Sequence, residues 1–127
     1  MYAVRIMYPR TAGSTFNLRH YIDVHTPLGL GLLKSTYGVA PVRVEIDAEP
    51  ISLGTEPPPY HCASNLYFAQ LTDVEAFKAL FAREDTAKQL ADDFPYYTTN
   101  HPVISISKVL AVDPVKHVPL GPASASP

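Results

Sequence analysis

Apolar and other residues alternate from Tyr2 to Tyr8, with Tyr2, Val4, Ile6 and Tyr8 on one face and Ala3, Arg5 and Met7 on the other. A period of two predicts a strand, which Pro9 and Gly13 end. The spacing then changes. Asn17 is suited to cap a helix, and Phe16 and Tyr21 stand at the separation of a hydrophobic staple. Leu18, Tyr21, His25, Leu28 and Leu32 form the apolar stripe of that helix, and Gly38 is its expected stop. Pro27 lies within the stripe, where it removes a backbone hydrogen bond and clashes with the carbonyl of Asp23, so a kink or break is expected there.

Val42, Val44 and Ile46 alternate with Arg43, Glu45 and Asp47, the pattern of a strand near a sheet edge with one wet face. After a loop carrying Pro57, Pro58 and Pro59, a third strand is expected from Tyr60 to Ala69, with neither face fully polar. Thr72 and Glu75 have capping-box spacing, and Val74, Phe77, Leu80 and Phe81 form the stripe of a second helix. A short turn from Asp85 is expected to bury Leu90 and Phe94 before Pro95. The last strand is predicted over Val103–Val112, and the proline-rich remainder reads as an extended arm. The divisions are a folded domain, 1–112, and an arm, 113–127, whose Val115, Val118 and Leu120 are expected to cross onto a partner subunit.

The order β-α-β-β-α-β is the split βαβ arrangement. The expected fold is α+β: a ferredoxin-like βαββαβ sandwich with a four-stranded antiparallel sheet and two helices on one face. Right-handed crossovers are expected to set the first and third strands parallel at the sheet centre. Because both sheet faces carry apolar residues, a second copy is expected to cover the open one, closing a dimeric α+β barrel.

The chain has 127 residues, 46% of them hydrophobic and 17% charged, which fits one globular domain and leaves an apolar surface for a partner. A net charge of −2 gives no basic field for nucleic acid or anionic lipid. The single cysteine, Cys62, cannot form an internal disulfide framework and suits a reducing cytoplasm. No signal peptide or membrane span is read, so the expected partners exclude membrane and nucleic acid.

His25 carries the chemistry. Its helical phase turns it toward the sheet beside Tyr21, where an imidazole titrating near neutrality can act as general acid or base on a phenol or enol. The competing reading has its ring bond a backbone group freed by Pro27. Tyr8, Tyr97 and Thr99 should meet where the first strand ends and the last begins, and Ser105 with Ser107 faces one side of the last strand. The expected site thus has His25 and Tyr21 as catalytic groups and Tyr8, Tyr97, Thr99 and Ser105 as ligand contacts. His20 and His25, five positions apart, are expected on different helical faces, and His61 and Cys62 on opposite strand faces, so no metal is expected. No phosphate-binding glycine loop or nucleophile elbow occurs, and no organic cofactor is expected. Cys62 on a central strand reads as a small hydrophobe.

Tyr8-Pro9-Arg10, Phe16, Tyr21 followed by His25-Thr26-Pro27-Leu28, Leu66-Tyr67-Phe68 and Pro102-Val103-Ile104 together resemble the EthD-like family, named for a protein encoded with an ethyl tert-butyl ether degradation system. The resemblance spans Tyr2 to Val112, and the aromatic-x-x-x-His-x-Pro-Leu element is its most specific part. Where many members carry two adjacent aromatics, this chain has His20-Tyr21. The resemblance implies a homodimeric α+β barrel related in fold to muconolactone isomerases, cofactor-free monooxygenases and polyketide cyclases, and members are often labelled oxidoreductases. Two function classes follow. One is a small cofactor-independent enzyme of a catabolic route, oxidoreductase-type or isomerase- or cyclase-like, acting on a small hydrophobic compound. The other is a non-catalytic accessory protein that shelters such a compound for a partner enzyme.

Overall fold

A computed structural model describes residues 1–110. Strands β1 (Tyr2–Pro9), β2 (Arg43–Ala48), β3 (Tyr60–Phe68) and β4 (Val103–Lys108) form one sheet in the order β2-β3-β1-β4. This is the ferredoxin-like α+β arrangement. The central strands are antiparallel, with Val4 opposite Leu66 and Tyr8 opposite Cys62, which corrects the expected parallel pair. The crossover from β1 leads to β2, which pairs antiparallel with β3. β1 and β2 are therefore the parallel pair, and the gap between them is filled by β3 running the other way. The predicted last strand ends early, at Lys108; its expected end at Val112 and the arm 113–127 lie outside the described residues.

Helix α1 runs through Leu18–His20, a π-helical segment Tyr21–His25, and Thr26–Tyr37. The Asn17 side chain accepts from the His20 amide at 3.1 Å, and Gly38 closes the helix at φ +68°, a left-handed conformation that costs glycine little. Pro27 neither breaks nor stops the helix. The Thr26 amide bonds the Tyr21 carbonyl five residues back, so the backbone widens by one residue just before the proline ring and absorbs the lost donor there. This extra residue rotates everything after it. Leu33, only 1% exposed, is the buried side chain near the helix end, whereas Leu32, on the expected stripe, is half-buried.

The second helix, α2 (Leu71–Ala82), starts earlier than the expected capping box, with the Gln70 amide donating to the Asp73 carboxylate at 3.3 Å. Val74, Phe77 and Leu80 are buried as expected, but Phe81 is 48% exposed. The turn expected at Asp85 is a full third helix, α3 (Glu84–Asp93), followed by a 3-10 turn, Phe94–Tyr96. Val4, Leu33, Leu66, Phe68, Val74, Phe77, Leu80 and Leu90 form the main core between helices and sheet. Each fully buried side chain of this type contributes roughly 1.5–3 kcal/mol.

The opposite sheet face is more polar than expected. Arg5 donates to Asn65 at 3.2 Å, Asn65 to Asp47 at 3.1 Å, and Tyr67 to Glu45 at 2.9 Å, a hydrogen-bonded row across the strands. Alternation puts Arg5 and Asn65 on this face but does not pair them, because the row forms only when register sets those side chains opposite the charged face of β2.

Candidate functional site

A second buried cluster sits at the end of the sheet where β1 stops. Tyr8, Tyr21, Cys62 and Tyr97 are its members, with Phe16 and Phe94 packed against them. The three tyrosine rings lie 5.2–5.5 Å apart, in edge-on or tilted contact. Local backbone pairing delivers Tyr97 to this place. Its carbonyl accepts from the Asn17 amide at the start of α1, Thr98 bridges Phe16, and the Asn100 side chain donates to the Pro9 carbonyl at 3.0 Å. The loop before β4 is thereby tied both to the helix N-terminus and to the end of β1.

The Tyr8 hydroxyl lies 2.8 Å from that of Tyr97. The Tyr97 hydroxyl is 3.2 Å from Nε2 of His25. His25 Nδ1 is 2.9 Å from one Asp93 oxygen, and Nε2 of His20 is 2.8 Å from the other. The result is a continuous chain, Tyr8–Tyr97–His25–Asp93–His20, running from buried core to partly exposed surface. Sequence reasoning missed Asp93 and His20 as members. Asp93 lies 73 and 68 positions from the two histidines, so no local signal could have joined them. His20 and His25 were expected on different faces. The π-helical segment between them takes more residues per turn, which brings positions five apart onto one side and onto one carboxylate.

Both nitrogens of His25 are thus engaged by side chains, which corrects the reading in which the ring props a backbone group freed by Pro27. Tyr21 stacks on His25 with ring centroids 5.6 Å apart, but its hydroxyl bonds Ser64 at 2.6 Å. The tyrosine linked to His25 through its hydroxyl is Tyr97. Thr99 stands apart from the cluster: it is exposed, and its Oγ1 accepts from the Thr15 amide. Ser105 is exposed opposite Arg5, on the sheet face away from the helices. The backbone trace explains both, since the residue buried beside Tyr97 is Thr98 and the strand's helix-facing positions are Ile104 and Ile106. Nor does His61 simply oppose Cys62. A register shift at Tyr8/Pro9 accompanies its stacking on Phe16 and its bond to Ser14 at 2.8 Å.

Beside the cluster is a cavity of about 430 Å³ between helices and sheet, toward the lower end of volumes that hold small organic molecules. Tyr8, Tyr21, His25, Thr26, Ser64 and Tyr97 supply polar groups, as does His101; the remaining wall is mostly aliphatic and phenyl, including Leu30, Leu33, Phe77, Leu90 and Ile104. Thr26 Oγ1 is buried with no hydrogen-bond partner among the described residues. No Asp, Glu, Lys or Arg side chain among the described residues lines this space, so it suits an uncharged guest.

Burial dominates the electrostatics. It raises the Tyr8 and Tyr97 hydroxyls far above the ordinary phenol range and pushes Tyr21 up to about 12. It also lowers His25 below its ordinary value, against the opposing pull of Asp93. For Asp93, burial acts to raise the carboxyl, but the hydrogen bonds from His20 and His25 outweigh it and hold it below its usual range. At neutral pH the chain therefore holds protonated phenols, a neutral His25 and an ionised Asp93. The Cys62 thiol, buried on β3, is pushed up to about 12, which makes it a poor nucleophile.

Among the described residues no helix is long and apolar enough to cross a membrane. No curated protein gives a significant match to the chain. Among solved structures, an EthD-like protein from Ralstonia eutropha JMP134 is similar with 22% identity and a TM-score of 0.71, over 91% of this chain and 96% of that one. An ethyl tert-butyl ether degradation (EthD) family protein from Bacillus halodurans C-125 is similar with 13% identity and a TM-score of 0.56, over 87% of this chain and 99% of that one. At these identities the two structures speak to the fold. The EthD domain family matches residues 15–100, the stretch that contains both histidines, Asp93 and Tyr97, and the chain belongs to that family.

Proposed function

We propose that this EthD-domain protein is a cytoplasmic homodimer of a catabolic route that binds a small, uncharged, largely hydrocarbon compound and moves a proton on it without a bound organic cofactor. The observation that carries the reading is the Tyr97–His25–Asp93 chain at one side of a largely apolar cavity. A ketone or phenol fits such a space, with its ring or chain against leucine and phenylalanine and its oxygen toward the tyrosines.

The step is a relay. The Tyr97 oxygen takes a proton from the guest as its own proton passes to His25 Nε2, and the electron pair stays on the guest as an enolate or phenolate. Asp93 stabilises the imidazolium that forms. Because burial makes a free tyrosinate costly, the two transfers must be concerted. Enolisation of this kind is shared by isomerase-, cyclase- and cofactor-free oxidoreductase-type reactions.

Homodimerisation through the open sheet face is supported by Met7 lying there opposite the exposed Val103. A stable pairing of this kind buries about 1,600 Å² or more in total. The catabolic setting rests on the family. The cytoplasmic setting rests on the single, reduced-type cysteine.

One observation favours the second reading, a sheltering protein without catalysis: the hydroxyls of Tyr8, Tyr21 and Tyr97 already bond protein partners. Deuterium exchange beside the carbonyl of 2-tetralone, followed by NMR in heavy water, separates the two. Proton transfer predicts that wild type accelerates exchange and that His25→Gln loses about 10²-fold while still binding 1-naphthol. Equal exchange in both proteins, with naphthol binding retained, would establish the sheltering role instead.

A further inference from the structure

We infer that Asp93 is the positioning residue for His25: held between His20 and His25, its carboxylate fixes the imidazole in the tautomer whose bare Nε2 faces the Tyr97 hydroxyl. The assignment deepens the proton-transfer reading of the cavity and rests on it for its purpose, though its geometry stands apart.

An ionised carboxylate only accepts hydrogen bonds. The 2.9 Å contact with Asp93 therefore requires a proton on His25 Nδ1, and the neutral ring must then carry its lone pair on Nε2. That atom, 3.2 Å from the Tyr97 oxygen, accepts the Tyr97 proton. Tyr97, having given its only proton to His25, accepts in turn from Tyr8 at 2.8 Å. One carboxylate so orients three hydroxyl and ring groups in a single direction, with the base at the end of the chain. The opposite tautomer would set an N–H against the Tyr97 hydroxyl and leave no base at all.

His20 makes the carboxylate a fixed point. It bonds the second oxygen at 2.8 Å and stacks on Tyr96 with centroids 5.8 Å apart. With both oxygens engaged and the Asp93 side chain only 13% exposed, its rotation is blocked on each side. The π-helical segment of α1 is what makes this two-point grip possible, because it sets His20 and His25 on the same side of the helix. A structural ion pair would need only one histidine and no hydroxyl beyond it.

Long-range proton–nitrogen correlation spectra of the histidine rings test the assignment in the intact protein at neutral pH. Wild type is expected to show His25 as the Nδ1–H tautomer; a neutral Nε2–H ring there overturns the positioning role outright. In Asp93→Ala the His25 signals are expected to move to the Nε2–H form or to an average of the two, and an unchanged Nδ1–H ring would equally overturn it. His20→Ala, at a more exposed side chain, is expected to shift His25 part of the way in the same direction, which guards against an Asp93 variant that does not fold. Exchange of 2-tetralone adds the second arm, with Asp93→Ala expected to lower kcat by on the order of 10²-fold or more at little change in KM. If wild type shows the expected tautomer yet no exchange, the positioning role is upheld by the spectra and the proton-transfer reading falls.

Discussion

Tyr8 and Tyr97 stand 89 positions apart in sequence, yet their buried hydroxyls meet at 2.8 Å. The contact joins the end of β1 to the turn that follows α3, so it reports whether the loop before β4 is correctly seated. Tyr8→Phe keeps the ring packing and removes one buried hydrogen bond. The expected loss is about 1 kcal/mol, because Tyr97 retains His25 as a partner. Thermal unfolding should show a fall of a few degrees.

The π-helical segment makes a sharper forecast. Leu33→Ala is expected to cost about 2–5 kcal/mol, the range for a buried aliphatic side chain truncated to alanine. Leu32→Ala, at a half-buried position, should cost clearly less. Denaturant titration of the two variants measures the difference, and the reverse order would mean that α1 continues in regular α-helical phase through Pro27.

Acid should destabilise the protein in two stages. His25 is held below its ordinary 6.5, so below that value the unfolded chain binds a proton that the folded one resists, and stability falls as pH drops through the interval. Asp93 is held below its ordinary 3.8, so a second loss follows as pH falls beneath that value. The groups facing His25 are Asp93, His20, Tyr97 and Tyr21. Urea midpoints between pH 2 and 8 should fall toward acid in wild type, and His25→Gln should flatten the upper stage.

Sedimentation is expected to find a dimer at micromolar concentration. Met7 lies on the open face between Ala63 and Val103, so Met7→Glu sets a charge at the centre of the proposed interface. That variant should sediment as a monomer with an unchanged circular dichroism spectrum; a wild-type monomer would remove the dimer from the proposal.

Much of this was legible from the order of residues alone. Period-two alternation marked each strand to within a few residues, Asn17 and Gly38 marked both ends of α1, and the aromatic-x-x-x-His-x-Pro-Leu element pointed to the EthD family. These signals are local: a face, a cap or a glycine conformation depends on neighbours within a turn or two. The grouping of Tyr8, Tyr21 and Tyr97 also followed, because strand order fixes which chain ends meet. What only the tertiary structure decided is how the site is wired. A proline within the helix told of a disturbance but not of its form, and the form, one extra residue in the turn, rotated Leu33 inward and put His20 and His25 on one carboxylate. Asp93 was one acid among many until the packing of α3 against α1 brought it between the two rings. The exchange of Thr99 for Thr98 has the same origin, since the facing of a loop residue depends on hydrogen bonds from distant segments, which no periodicity encodes.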